Sequence, residues 1–166
     1  KLPNRTRTLL RQLSRRKYVT VGIISGRSLR DVKELVGLKG LIYVGNHGLE
    51  LEGPNFKFVN PAAKISKPLI QKIDRKLKEK RPPVKWDKGK IVKWILTRLY
   101  PGQKAKGLLP IYLGDDRTDE DAFRALNRRG LTIFVGKKKI LSKADYFVTS
   151  TEEVNDFLDR ILKLKD

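Results

Sequence analysis

The chain repeatedly runs a short apolar segment into a glycine-containing turn and then into a stretch with helical spacing. No other feature restricts its fold so strongly. Tyr18 to Ile24 reads as a strand ended by Ser25-Gly26-Arg27-Ser28, after which Leu29, Val32, Leu35 and Val36 mark one face of a helix. Leu41 to Val44 reads as a second strand, ended by Gly45-Asn46-His47-Gly48. Leu108 to Leu113, closed by Gly114, and Leu131 to Val135 continue the pattern. Such a succession predicts an α/β protein with a parallel sheet and helices on both faces.

Other segments fill in the frame. Leu2 to Arg16 carries Leu9, Leu10 and Leu13 at helical spacing, and Pro3 fits a helix start. Leu49 to Leu51 and Phe56 to Val59 flank Gly53-Pro54-Asn55 and predict a hairpin. Ala62 to Lys80 predicts one long basic helix, stopped by Arg81-Pro82-Pro83. From Asp87, a suitable cap, a helix is expected to Tyr100, with Ile91, Trp94, Ile95 and Leu99 on one face. A helix to Arg129, a short strand at Tyr146 to Val148 and a closing helix from Thr151 complete the reading.

Five carboxylates lie between Asp115 and Asp121, directly after a predicted strand, in a chain of formal net charge +20. The carboxyl end of a strand is where ligands bind in open α/β sheets. Thr118 with Asp121 reads as a capping box, and acids in a first helical turn are favoured by the macrodipole, which accounts for Glu120 and Asp121 without function. Asp115 and Asp116 precede that cap and repel each other unless a cation sits between them. Hard carboxylate oxygens in such a loop suit Mg²⁺. Ser25, with the backbone N–H groups of Gly26 and Arg27 at a helix start, is of the kind that holds a phosphate oxygen. Lys88 is placed to neutralise both a phosphate and a carboxylate.

With 166 residues, 39% hydrophobic and 34% charged, the composition fits one globular domain with a real core. No apolar run is long enough to cross a bilayer and no secretory signal pattern opens the chain, so a cytoplasmic location is the default. The absence of cysteine excludes disulfides and thiolate metal sites. The excess of Lys and Arg, including Arg5, Arg7, Arg11, Arg15, Arg16 and Lys17 and the run at 137–139, raises a nucleic-acid-binding module as the rival reading. Against nucleic acid as a partner, the basic residues are spread over several helices, and aromatic residues are only 8%, with no stacking motif.

Ser25 at one strand end, Lys88 at a helix start after an inserted segment, and Gly114-Asp115-Asp116 with Asp119 at the next strand end together resemble motifs two to four of the haloacid dehalogenase (HAD) superfamily of phosphohydrolases. The longer strings Ile24 to Ser28, Gly45 to Glu50, Trp86 to Gly89 and Gly114 to Phe123 are similar to those of trehalose-6-phosphate phosphatases. The resemblance covers nearly the whole chain. It implies a Rossmann-like HAD core over residues 1–48 and 84–166, with a small, incomplete α/β cap insertion over 49–83. It implies hydrolysis of trehalose 6-phosphate to trehalose and phosphate through an aspartyl-phosphate. Asp115 would be a Mg²⁺ ligand, with Asp116 and Asp119 completing or orienting the coordination. Ser25 and Lys88 would act on the transferring phosphoryl group. Gly26 and Arg27 would join the phosphate site, and Asn46, His47 and Glu50 would face the sugar.

Two departures accompany the likeness. The family's first motif, Asp-x-Asp-Gly-Thr, supplies nucleophile and general acid/base, and nothing here matches it. Asp119-Glu120-Asp121 has the spacing but lies at a helix start. The expected cap is also larger than Leu49 to Arg81. A chain without methionine that opens Lys1-Leu2-Pro3 reads as part of a longer polypeptide, and the alternative expectation is an inactive truncated fragment.

Overall fold

The structure is a computed structural model that describes residues 2–60, 87–102, 106–137 and 141–164. The long basic helix expected at 62–80 and the proline stop after it lie outside these residues. The chain divides into two compact units, Lys1–Pro3 with Leu13–Trp86, and Asn4–Gln12 with Asp87–Asp166.

In the first unit, β1 (Gly22–Ile24), α2 (Leu29–Val36), β2 (Ile42–Gly45), β3 (Glu50–Gly53) and β4 (Phe56–Val59) follow one another, while α1 (Asn4–Leu13), which precedes them in the chain, belongs but for Leu13 to the second unit. The sheet order is β1-β2-β3-β4. β1 and β2 are parallel, pairing Ile24 with Val44, while β2-β3 and β3-β4 are antiparallel. The hairpin is thus as expected, and the α2 crossover gives the expected parallel pair. α2 forms because Leu29, Val32 and Val36 make a buried stripe beside the fully buried strand β2. Ser28 Oγ accepts from the Asp31 N–H at 3.1 Å, and Gly37, at φ 63°, closes the other end through its N–H to the Lys33 carbonyl. The strand expected from Tyr18 is shorter, because Arg16 to Val19 folds into a turn with the Val19 N–H on the Arg16 carbonyl.

The second unit holds α3 (Lys88–Leu99), β5 (Ile111–Gly114), α4 (Glu120–Leu126), β6 (Leu131–Val135), β7 (Tyr146–Val148) and α5 (Thr151–Lys163). Its three strands are all parallel in the order β5-β6-β7. α4 stops at Leu126 rather than Arg129, because Arg128 enters the left-handed region at φ 60° and the Arg129 N–H turns back to Leu126. α1 is tied to α5 by a buried bond from Thr6 Oγ1 to Asn155 Oδ1 at 2.8 Å, with an exposed Arg5–Asp156 pair beside it. α3 packs on α4 across Gly89, where a Cβ would lie 2.3 Å from the Asp121 carbonyl oxygen. Asp145 locks β6 to the approach to β7, accepting from both the hydroxyl and the N–H of Thr132.

The expected α/β class with parallel strands and helices is met, and the described strands form two sheets, one mixed and one parallel. β1 pairs only with β2 and β5 only with β6, so no described strand serves as a common centre.

Gly45 brings the end of β2 against the start of α2. A Cβ there would sit 2.3 Å from the Leu29 nitrogen, a backbone atom that no rotamer change can move. Gly40, at φ +84°, has nothing within 4 Å of the same position. Gly45→Ala is therefore expected to cost about 2–3 kcal/mol through steric conflict, and Gly40→Ala only about 1 kcal/mol through backbone strain. Denaturant unfolding of both variants checks the order.

Candidate functional site

The polar groups fall into two clusters, one in each unit. The second unit's cluster begins where β5 ends. Gly114 lets the chain fold back so closely that a Cβ would lie 2.3 Å from Asp119 Cγ. Asp115 and Asp116 follow, and a 3₁₀ turn over Arg117–Asp119 leads into α4. Asp116 caps this turn. Its Oδ1 accepts from both the N–H and the hydroxyl of Thr118 at 2.6 Å, and Asp119 completes a capping box with it. The cap is thus Asp116 and not Thr118, because the 3₁₀ turn starts the helical segment three residues early and places Thr118 inside it. The Thr118 bonds, with Lys88 nearby, hold the Asp116 carboxyl below its usual range.

Asp119 is buried, and four donors surround it. Lys88 Nζ and the Tyr112 hydroxyl each reach Oδ1 at 2.7 Å, and the N–H groups of Asp115 and Asp116 each reach Oδ2 at 3.0 Å. The Lys88 side chain is only 11% exposed and stands 3.6 Å from Asp116 Oδ1 as well. It starts α3, whose cap is Asp87 through a 2.8 Å bond from the Lys90 N–H. Tyr112 meets Phe123 edge to face at 5.8 Å. Burial, then the Asp119 charge, raises its phenol well above the usual range, so it stays protonated and donates.

Oxygens of Asp115, Asp116 and Asp119 lie within 4.8 Å of one another. Three carboxylates and one ammonium leave an excess of two negative charges, which suits a divalent cation. The donors on Asp119 occupy both of its oxygens, whereas Asp115 and Asp116 are exposed. Glu120, set apart from the site by the sequence, is a structural tie: it accepts from the Ser142 hydroxyl and the Lys143 N–H. Asp121 pairs with Arg124. Tyr112 was not foreseen. Its only sequence signal is a hydroxyl-bearing aromatic two positions before the strand-ending glycine.

The first unit's cluster lies at the carboxyl ends of β1 and β2. Ser25 Oγ accepts from the Arg27 N–H at 3.1 Å, so that N–H is engaged within the loop rather than free as expected. Facing this loop, Asn46 and His47 both have positive φ, 50° and 53°. The Asn46 N–H reaches the Arg27 carbonyl at 2.7 Å and the His47 N–H reaches the Ser25 carbonyl at 3.4 Å. Asn46 Nδ2 donates to Glu50 Oε2 at 2.6 Å. Ser25, Gly26, Arg27, Asn46, His47 and Glu50 are thus brought together in one unit, and Lys88, Asp115, Asp116 and Asp119 in the other.

The family model for trehalose-phosphatase matches residues 1–80 and 62–152. The chain belongs to the trehalose-phosphatase family. Trehalose-phosphate phosphatase of Mycobacterium marinum is 32% identical over 171 residues, covering 69% of this chain and 44% of that protein. Probable trehalose-phosphate phosphatase D of Arabidopsis thaliana is 28% identical over 216 residues, covering 90% of this chain and 58% of that protein. The chain therefore spans about half the length of the curated relatives it matches. The solved trehalose-6-phosphate phosphatase of Aspergillus fumigatus superposes with a TM-score of 0.74 at 18% identity, covering 98% of this chain and 85% of that one. The C-terminal domain of the C. albicans enzyme gives 0.77 at 17% identity, covering 99% and 86%. These superpositions show that the chain shares the α/β fold of those two structures. No helix among the described residues is long and apolar enough to cross a membrane.

An amide in place of the Asp119 carboxylate keeps one acceptor oxygen for four donors. Asp119→Asn is expected to cost about 3 kcal/mol, as breaking a buried ion pair does, while Asp115→Asn leaves stability unchanged or slightly raised. Chemical denaturation of the two variants distinguishes them.

Proposed function

We propose that this chain carries the phosphoryl-transfer machinery of a Mg²⁺-dependent trehalose-6-phosphate phosphatase. The observation that carries the reading is the buried Lys88–Asp119 pair beneath two exposed carboxylates at the end of β5, in a chain of the trehalose-phosphatase family. Residues 1–48 and 84–166 form the core in this reading, and 49–83 belong to a reduced cap. The alignment over 216 residues, longer than this chain of 166, supports internal segments in the Arabidopsis relative that have no counterpart here. A cytoplasmic location fits a sugar-phosphate substrate, and the spread of the basic residues over several helices argues against nucleic acid as the partner.

The roles follow from the chemistry of each group. Asp115 and the Asp116 oxygen that is not bonded to Thr118 would hold Mg²⁺, which supplies charge neutralisation for the phosphoryl group. Asp119 keeps the Asp115 and Asp116 backbone and Lys88 in place. Lys88 has three N–H bonds; two face Asp119 and Asp116, and the third is left for a phosphoryl oxygen. Ser25 uses its oxygen as acceptor for Arg27, which leaves its O–H to donate to a phosphoryl oxygen. The Gly26 N–H adds a second donor. Asn46, His47 and Glu50 face the sugar. In the family the attacking carboxylate lies on an Asp-x-Asp-Gly-Thr strand, a motif that these 166 residues do not contain. The P–O bond to the sugar breaks as the aspartyl-phosphate forms, the second acid of that motif protonates the departing trehalose oxygen, and water then releases phosphate. The large positive charge serves to draw in a phosphorylated substrate.

In the full-length protein bearing that strand, phosphate release from trehalose 6-phosphate is expected to require Mg²⁺. Asp115→Asn or Lys88→Ala should lower it by at least about a hundredfold, while Glu120→Gln, away from the metal, leaves Mg²⁺ affinity intact. Full turnover by Asp115→Asn, or Mg²⁺ affinity lost equally in both acid variants, would overturn the assignment.

A further inference from the structure

The turn at the end of β2 holds three successive residues at positive φ: Asn46 at 50°, His47 at 53° and Gly48 at 92°. For Asn and His this conformation is strained, and backbone strain concentrates where function needs it. The turn grips the neighbouring loop by its backbone, with the Asn46 N–H on the Arg27 carbonyl and the His47 N–H on the Ser25 carbonyl. The peptide joining Ser25 to Gly26 is trans. Its C=O and N–H point in opposite directions, so anchoring the Ser25 carbonyl to the turn aims the Gly26 N–H away from it. His47 adds a side-chain contact. The three atoms nearest to a Cβ built on Gly26 are all in its imidazole, Cε1 at 2.6 Å, Nε2 at 2.8 Å and Nδ1 at 3.2 Å. The ring therefore lies across Gly26 and occupies the space that any other residue at 26 would fill.

We propose that His47 is a positioning residue: its strained backbone and its imidazole together fix the Ser25-Gly26-Arg27 loop with the Gly26 N–H turned outward to receive phosphate. The role rests on the assignment of that loop as the phosphate site. It explains why glycine is needed at 26, where no positive φ demands it, and why a β-carbon is held in the left-handed region at 47, where glycine would be free of strain.

The test uses the whole polypeptide, inorganic phosphate as the probe, and three variants: His47→Gly, Gly26→Ala and the double variant. Thermal unfolding and phosphate-binding calorimetry are measured on each. His47→Gly is expected to unfold at an equal or higher temperature, because strain is relieved, yet to bind phosphate roughly ten- to a hundredfold more weakly. A merely structural residue would lose stability instead. Gly26→Ala is expected to be destabilised in the parent and tolerated in the His47→Gly background, because the three atoms nearest to its methyl group all belong to the imidazole. Unchanged phosphate affinity in His47→Gly, or a Gly26→Ala penalty equal in both backgrounds, would overturn the positioning role alone. A parent protein that takes up no phosphate, with the stability coupling intact, would overturn the phosphate-site reading and the positioning role with it.

Discussion

The second unit's site depends on a single buried carboxylate. Asp119 gathers an ammonium, a phenol and two backbone N–H groups from three different stretches of chain: the start of α3, the middle of β5 and the turn that follows it. A buried carboxylate is tolerable only with such full compensation. Its consequences run outward. Gly114 must lack a side chain to admit it, Tyr112 must stay protonated to donate, and Lys88 is held almost out of solvent beside it. The exposed acids Asp115 and Asp116 then present their oxygens from a backbone that Asp119 has already fixed. Little reorganisation is left to be done when charge arrives, which is the condition under which electrostatic stabilisation is most effective.

The first unit achieves rigidity by other means. Its Ser25-Gly26-Arg27 loop is held by backbone bonds to a left-handed turn and by an imidazole laid on a glycine, rather than by a buried charge. The difference follows from what each cluster contacts. Clustered acids need charge balance, whereas a loop without buried charge can be held by its carbonyls alone.

The sequence revealed most of this where local signals and tertiary packing agree. Leu131 to Val135, the hairpin around Gly53 and the helix capped by Asp87 were legible because periodicity, turn residues and caps all point the same way. That Asp115, Asp116 and Lys88 would come together was legible through their order along the chain. The Thr118 cap was misread, since a 3₁₀ turn before α4 moves the cap to Asp116, and nothing in residue spacing separates the two. The role of Tyr112 was hidden for a different reason. A phenol's partner is decided by long-range contacts, which periodicity does not encode.

The central claim is that Asp119 positions while Asp115 binds the metal. A crystal structure of the protein with Mn²⁺ in place of Mg²⁺, the ion located by its anomalous signal, tests it directly. The account predicts an ion about 2.1 Å from an Asp115 oxygen, with Lys88 and Tyr112 still hydrogen-bonded to Asp119. An ion bonded to Asp119 with Lys88 displaced, or one that leaves Asp115 without a metal contact, would contradict it.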